Sequence, residues 1–160
     1  MNKALKLLSI TLLAAVAVTS GVCPAFAQAI NPPIQEIALP GSPFAVATTR
    51  DSDYVFASLS GAASGIAIVK QGNKSASLVR VLATGGGTFG LTVSADGRYL
   101  LDTVQPSGSS TVPAGAQIID LRKAIAGDPD AVLGTIPTGS GSGPIEVALS
   151  NDNRFAFVTN

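Results

Sequence analysis

From residue 34 onward the chain reads as short apolar runs broken by turn formers. Ile34-Gln35-Glu36-Ile37-Ala38-Leu39 alternates and then stops at Pro40-Gly41. Gly65-Ile66-Ala67-Ile68-Val69 and Ala116-Gln117-Ile118-Ile119-Asp120-Leu121 are too short for helices and rich in β-branched residues, which predicts strands. Leu78-Val79-Arg80-Val81-Leu82 and Val132-Leu133-Gly134-Thr135-Ile136 read the same way. The runs are long for half-exposed strands, which predicts burial on both faces between neighbouring sheets. A helical turn or loop is expected only around Ala124 to Pro129.

One unit recurs. Thr49-Arg50-Asp51-Ser52-Asp53-Tyr54 aligns with Ser94-Ala95-Asp96-Gly97-Arg98-Tyr99 and with Ser150-Asn151-Asp152-Asn153-Arg154-Phe155. Each has a hydroxyl residue, an Asp two places on, a turn former, and an aromatic two places further. Ser52, Gly97 and Asn153 fall where a tight turn requires a left-handed backbone; Gly meets that demand freely, Asn tolerates it and Ser less so. The register extends backwards through Val46, Leu91 and Val147 to Pro43, Thr88 and Pro144. Two further strands follow each of the first two hairpins. Four strands per unit at a period of roughly 40–50 residues is the pattern of a β-propeller blade. The predicted fold is therefore all-β, with blades of four antiparallel strands forming a partial ring. The expected layout is an orphan outer strand at about 34–41, a repeat at about 42–85, a second at about 86–139, and a partial repeat at 140–160. We expect Asp51, Asp96 and Asp152 to serve turn chemistry, and Tyr54, Tyr99 and Phe155 to be core.

The N-terminus differs in kind. Lys3 and Lys6 precede an apolar stretch from Leu7 to about Val18, and Ala25-Phe26-Ala27 has small residues at the first and third places. That is the three-part pattern of a secretory signal peptide over residues 1–27, with Gln28 as the new N-terminus. The stretch is short of the ~20 residues a membrane span needs. Lipidation at Cys23 is disfavoured, because Val22 stands where that processing wants a small residue. We expect an exported protein, periplasmic or extracellular, with no integral membrane segment after cleavage.

Composition narrows function by exclusion. Charged residues are 12% of the 160 and Lys plus Arg equals Asp plus Glu, at 10 each. Such a chain is a poor nucleic-acid binder, since that affinity rests on phosphate neutralisation. It has no His and one Cys, so neither a zinc site nor a disulfide framework is expected, and no cofactor is implied.

Pro144-Ile145-Glu146-Val147-Ala148-Leu149-Ser150-Asn151-Asp152-Asn153-Arg154-Phe155-Ala156-Phe157-Val158-Thr159-Asn160 resembles the YVTN-type β-propeller repeat, and Phe157-Val158-Thr159-Asn160 stands where that motif falls. The Ser94–Tyr99 segment resembles the same repeat. The first copy departs from it, with Asp53 in place of Arg and Ala57-Ser58 in place of Thr-Asn. The resemblance implies a lactonase-like or surface-layer-like propeller. Lactonase-like relatives use acidic, Arg and His groups around a central channel; a chain without His supplies no such set. Blade count implies a piece of a longer propeller, of roughly 300 residues or more. The alternative is a short product that closes by oligomerisation.

Ligands of propellers sit near the loops that enter the innermost strands, an expectation from fold analogy. Those loops hold Gly85-Gly86-Gly87, where Gly86 and Gly87 are candidate ligand contacts through backbone N–H groups. Glu146 is the third candidate, because its aligned partners Ala45 and Gly90 are small. Gln105 to Gly115 is an insertion relative to the first repeat, expected to be a flexible loop. The expected function is an exported binding or scaffold module for a small molecule, glycan or protein; the alternative is a lactonase-like hydrolase whose catalytic residues lie mostly in missing blades, to which Glu146 could contribute a base.

Overall fold

The computed structural model describes residues 3–6, 34–61, 63–107, 110–139 and 141–160. Most of the segment read as a leader, including Cys23 and the Ala25-Phe26-Ala27 site, lies outside the described residues. Lys3–Lys6 (β1) pairs antiparallel with Glu36–Leu39 (β2).

Two four-stranded antiparallel sheets follow. The first, blade A, runs in chain order from β3 (Ser42–Thr48) through β4 (Tyr54–Ser60) and β5 (Gly65–Gln71) to β6 (Ala76–Leu82). The second, blade B, runs from β7 (Gly86–Val93) through β8 (Tyr99–Pro106) and β9 (Gly115–Asp120) to β10 (Val132–Pro137). A hairpin of β11 (Val147–Leu149) and β12 (Ala156–Val158) comes last. The all-β expectation of four-stranded antiparallel blades holds. Sequential strands pair in order, through short hairpin loops in blade A and through longer connections after β8 and β9 in blade B.

Strand alternation explains why the central strands are apolar throughout. In blade A, Phe56, Ile66 and Ile68 face blade B and join Leu91, Leu100 and Ile119 in one core cluster. Val55, Ala57, Leu59, Ala67 and Val69 point the other way and pack with Ile37 and Leu39 of β2. Side chains of both parities are thus removed from water, at roughly 1.5–3 kcal/mol for each large aliphatic one.

One helix interrupts the sheets. α1 (Leu121–Ala126) begins three residues before the expected turn at Ala124, because Asp120 caps it: its carboxylate accepts from the Lys123 backbone N–H at 2.9 Å. Gly127, at φ 81°, ends it.

The three aligned hairpin turns share one geometry. Ser52, Gly97 and Asn153 have φ of 63°, 69° and 58°. The hydroxyls of Thr49, Ser94 and Ser150 donate to Asp51, Asp96 and Asp152 at 2.5, 2.6 and 2.6 Å. Each of these carboxylates also accepts a backbone N–H two residues on, at 3.0–3.1 Å. The Asp side chains do close the turns. The aromatic positions depart from expectation. Tyr54 and Tyr99 are half-buried, and Phe155 is exposed, its ring lying against the Arg154 guanidinium at 5.8 Å. Arg98 lies over Tyr99 in the same way at 5.2 Å.

Candidate functional site

The first strand of each sheet packs against the next: β3 against β7, and β7 against β11. A bulge bends each of the first two. In β3 the pairing shifts between Pro43 and Val46, and in β7 between Thr88 and Leu91. Bulges leave an N–H without a ladder partner, and here a hydroxyl on the next strand takes it. Ser58 Oγ accepts from the Ala45 N–H at 2.9 Å; Thr103 Oγ1 accepts from the Gly90 N–H at 2.8 Å. Thr103 also donates to the Ile145 carbonyl at 2.9 Å, tying blade B to the last hairpin. Thr88 does the like for blade A, with its hydroxyl 2.6 Å from the Gly65 carbonyl and 3.0 Å from that of Leu59.

Gly90 lies where the strands come closest. A Cβ there would stand 2.6 Å from the Ile145 carbonyl oxygen and 2.7 Å from Glu146 Cα. Only a residue without a side chain lets β11 approach β7 so tightly.

The three sequence candidates, Gly86, Gly87 and Glu146, are not among the residues that line the cleft at the end of blade B where β7 starts. Gly86 pairs with Pro106 and Gly87 with Gln105, and both glycines are buried in β7. A Cβ at Gly86 would meet the Gln105 carbonyl at 2.5 Å, so close strand packing accounts for that glycine. Gln105 in turn donates through Nε2 to the Pro144 carbonyl at 3.1 Å. Glu146, two residues further on, is exposed, and its backbone N–H donates to Thr159 Oγ1 at 3.1 Å. Gln105, Pro106, Pro113, Ala114, Gly139 and Ser142 are among the residues lining a cleft of about 540 Å³. It opens at the end where β7 starts and β8 finishes. Its wall includes part of the 105–115 insertion, whose Ser110 hydroxyl donates to the Gly85 carbonyl and whose Val112 N–H donates back to Ser110 Oγ at 3.2 Å. The insertion is thus anchored at Ser110, where the sequence predicts a flexible loop; residues 108 and 109 lie outside the described residues.

The electrostatics point elsewhere. The turn carboxylates of Asp51, Asp96 and Asp152 are held below the usual carboxylate range, first by the hydroxyls that donate to them. Asp102 is the opposite case. It sits in mid-β8, is 0% exposed, and burial pushes its carboxyl up to about 8. Sequence reasoning passed over it. The signal was a carboxylate inside the apolar run Leu100-Leu101-Asp102-Thr103-Val104, at the place Ala57 holds in blade A. Among the described residues no group of three or more His, Cys, Asp or Glu gathers as a metal site would require, and no helix is long and apolar enough to cross a membrane.

No protein-family model matches the chain, and no curated protein does. Among solved structures, the chain is similar to the periplasmic gluconolactonase of Pseudomonas aeruginosa, with a TM-score of 0.62 and 19% identity. The match covers 79% of this chain and 39% of that one, so the chain spans well under half of its neighbour's length. At that identity the likeness speaks for the fold.

Proposed function

We propose that this chain is an exported propeller module of the YVTN-repeat type that binds a neutral polar ligand, such as a small carbohydrate, at the cleft beside β7. The observation that carries the reading is the cleft's chemistry. Its lining combines the flat apolar faces of Pro106, Pro113 and Pro137 with the Gln105 amide and the Ser142 hydroxyl. Apolar faces with a few convergent polar groups suit a ring that is apolar above and hydroxylated at its rim. Residues 1–27 act as the export leader.

A second reading is favoured by the structural neighbour, a gluconolactonase. In it Glu146 serves as general base for water attack on a sugar lactone. One experiment separates the two. The purified chain is titrated with neutral monosaccharides and disaccharides by saturation-transfer NMR, and assayed in parallel for proton release from glucono-δ-lactone. Binding without hydrolysis, weakened by Ser142→Ala, supports the module. Hydrolysis above the spontaneous rate that Glu146→Gln abolishes supports the enzyme. No binding to any sugar defeats the carbohydrate proposal.

A further inference from the structure

The interface between blades A and B holds a polar pair that the fold itself does not require. Asp102 on β8 and Gln117 on β9 are register partners. In blade A the corresponding partners are Ala57 and Ala67, both 0% exposed. The same backbone position is therefore filled by two methyl groups in one blade and by a carboxyl and an amide in the next.

The hydrogen bonds of the pair leave a specific gap. Gln117 donates through Nε2 to the Thr84 carbonyl at 3.1 Å and to Thr135 Oγ1 at 3.2 Å. An amide has two donor hydrogens, so both are spoken for and the orientation of the group is set. Its Oε1 is buried with no partner among the described residues, and so are both oxygens of Asp102. Directly opposed side chains have Cβ atoms ~4.5–5.5 Å apart, within hydrogen-bonding reach for Asp and Gln. The orphaned acceptors thus stand on register partners, and what they lack is a hydrogen to share.

We propose that Asp102 stands as the neutral acid and donates its proton to Gln117 Oε1, which makes this β8–β9 pair, on the face that blade B turns to blade A, a proton-dependent tie within blade B. The inference is independent of the ligand reading above. The surroundings support it. Leu91 of β7 flanks Asp102 on the other side, and blade A presents Phe56, Ile66 and Ile68 to this interface. The ionisable groups on the packed elements are Tyr99 on β8, Asp120 on β9, Tyr54 on β4, Lys70 on β5 and Arg80 on β6. Tyr99 has the opposite strand parity to Asp102. Tyr54 and Lys70 are partners at one end of blade A. Asp120 caps α1, and the Arg80 guanidinium lies against Gly127. None of these charges enters the shift of Asp102, which comes from burial.

The sign of the pH effect follows. The folded carboxyl keeps its proton up to about pH 8, whereas the unfolded one loses it near its ordinary 3.8. Between those values the unfolded state binds fewer protons, so stability falls as pH rises. The stabilisation is fully present below about 4 and lost as pH passes about 8.

Carboxyl ¹³C NMR of the full chain tests this. Asp102 should keep the chemical shift of a protonated acid at pH 6 and titrate well above 3.8; an ionised shift at pH 6 overturns the proposal. Asp102→Asn keeps a donor toward Gln117 and removes the proton equilibrium. The wild-type unfolding constant should rise about tenfold per pH unit through the window relative to this variant; equal slopes overturn the proposal. Gln117→Met removes the acceptor and should lower the titration midpoint of Asp102, and an unchanged midpoint overturns the sharing with Gln117.

Discussion

Blades A and B have the same strand order and the same bulge in their first strand, yet they are built with different materials. Blade A joins β4 to β5 and β5 to β6 by short turns, and its centre is Ala57 beside Ala67. Blade B carries the 105–115 insertion at one end, α1 at the other, and Asp102 beside Gln117 between them. Blade A shows what the architecture needs. What blade B adds is therefore the place to look for what the protein does.

The comparison can be broken by moving parts across it. The largest effect is expected from Ala57→Asp. It buries a carboxyl in blade A with Ala67 opposite, where no acceptor is on hand to share its proton. A loss of about 3 kcal/mol or more in urea unfolding at pH 7 is expected. Adding Ala67→Gln should recover part of it. If Ala57→Asp costs under 1 kcal/mol, the two seams are not as alike as their registers suggest.

Close approach comes next. Gly90→Ala places a methyl into the Ile145 and Glu146 backbone and should cost about 1–3 kcal/mol, read from the same unfolding curves. Gly134→Ala, in open space, should change stability by no more than ~0.5 kcal/mol. Thr103→Val should cost about 1–2 kcal/mol by stranding the Gly90 N–H, and more than Ser58→Ala because it also frees the Ile145 carbonyl. Equal costs would show that the bond to Ile145 contributes nothing.

The smallest effect is expected at the turns, and it has the reverse pH sign to that of Asp102. The Asp96 carboxyl is depressed, so its stabilisation is present above the ordinary 3.8 and lost as pH falls through the lower folded value. Asp96→Asn should flatten the acid limb of an unfolding titration. Ser52→Gly should raise the melting temperature slightly, since φ of 63° suits glycine better than serine.

Much of this was legible in the chain. The turn residues announced themselves because a left-handed backbone and a carboxylate two places after a hydroxyl are local demands, met within six residues. The four-strand rhythm was legible because alternation and turn formers are local too. Phe155 was misread because it was assigned to the core by alignment with Tyr54 and Tyr99, while burial depends on what covers a position. Glu146 drew attention as a lone charge among small aligned residues, and the structure leaves it exposed. Asp102 had the stronger chemistry and escaped notice. Its consequence depends on a partner fifteen residues away across a register that no local pattern specifies. The start of α1 was missed for a simpler reason: the apolar run was read as strand through Leu121, whereas the strand ends at Asp120, which caps the helix.

One contact at the turns leads further. The Asn153 side chain accepts the Ala95 N–H at 2.9 Å, so the third turn is clasped to the second. Gly97, which holds the corresponding place in the second turn, brings no side chain to reach the first. Along this edge the ring is a chain with one clasp closed and the next open. Under mechanical load, or in the slow breathing that amide exchange records, parting should begin between the first and second turns. The Ala95 amide, though at the surface, should exchange more slowly than that of Arg50.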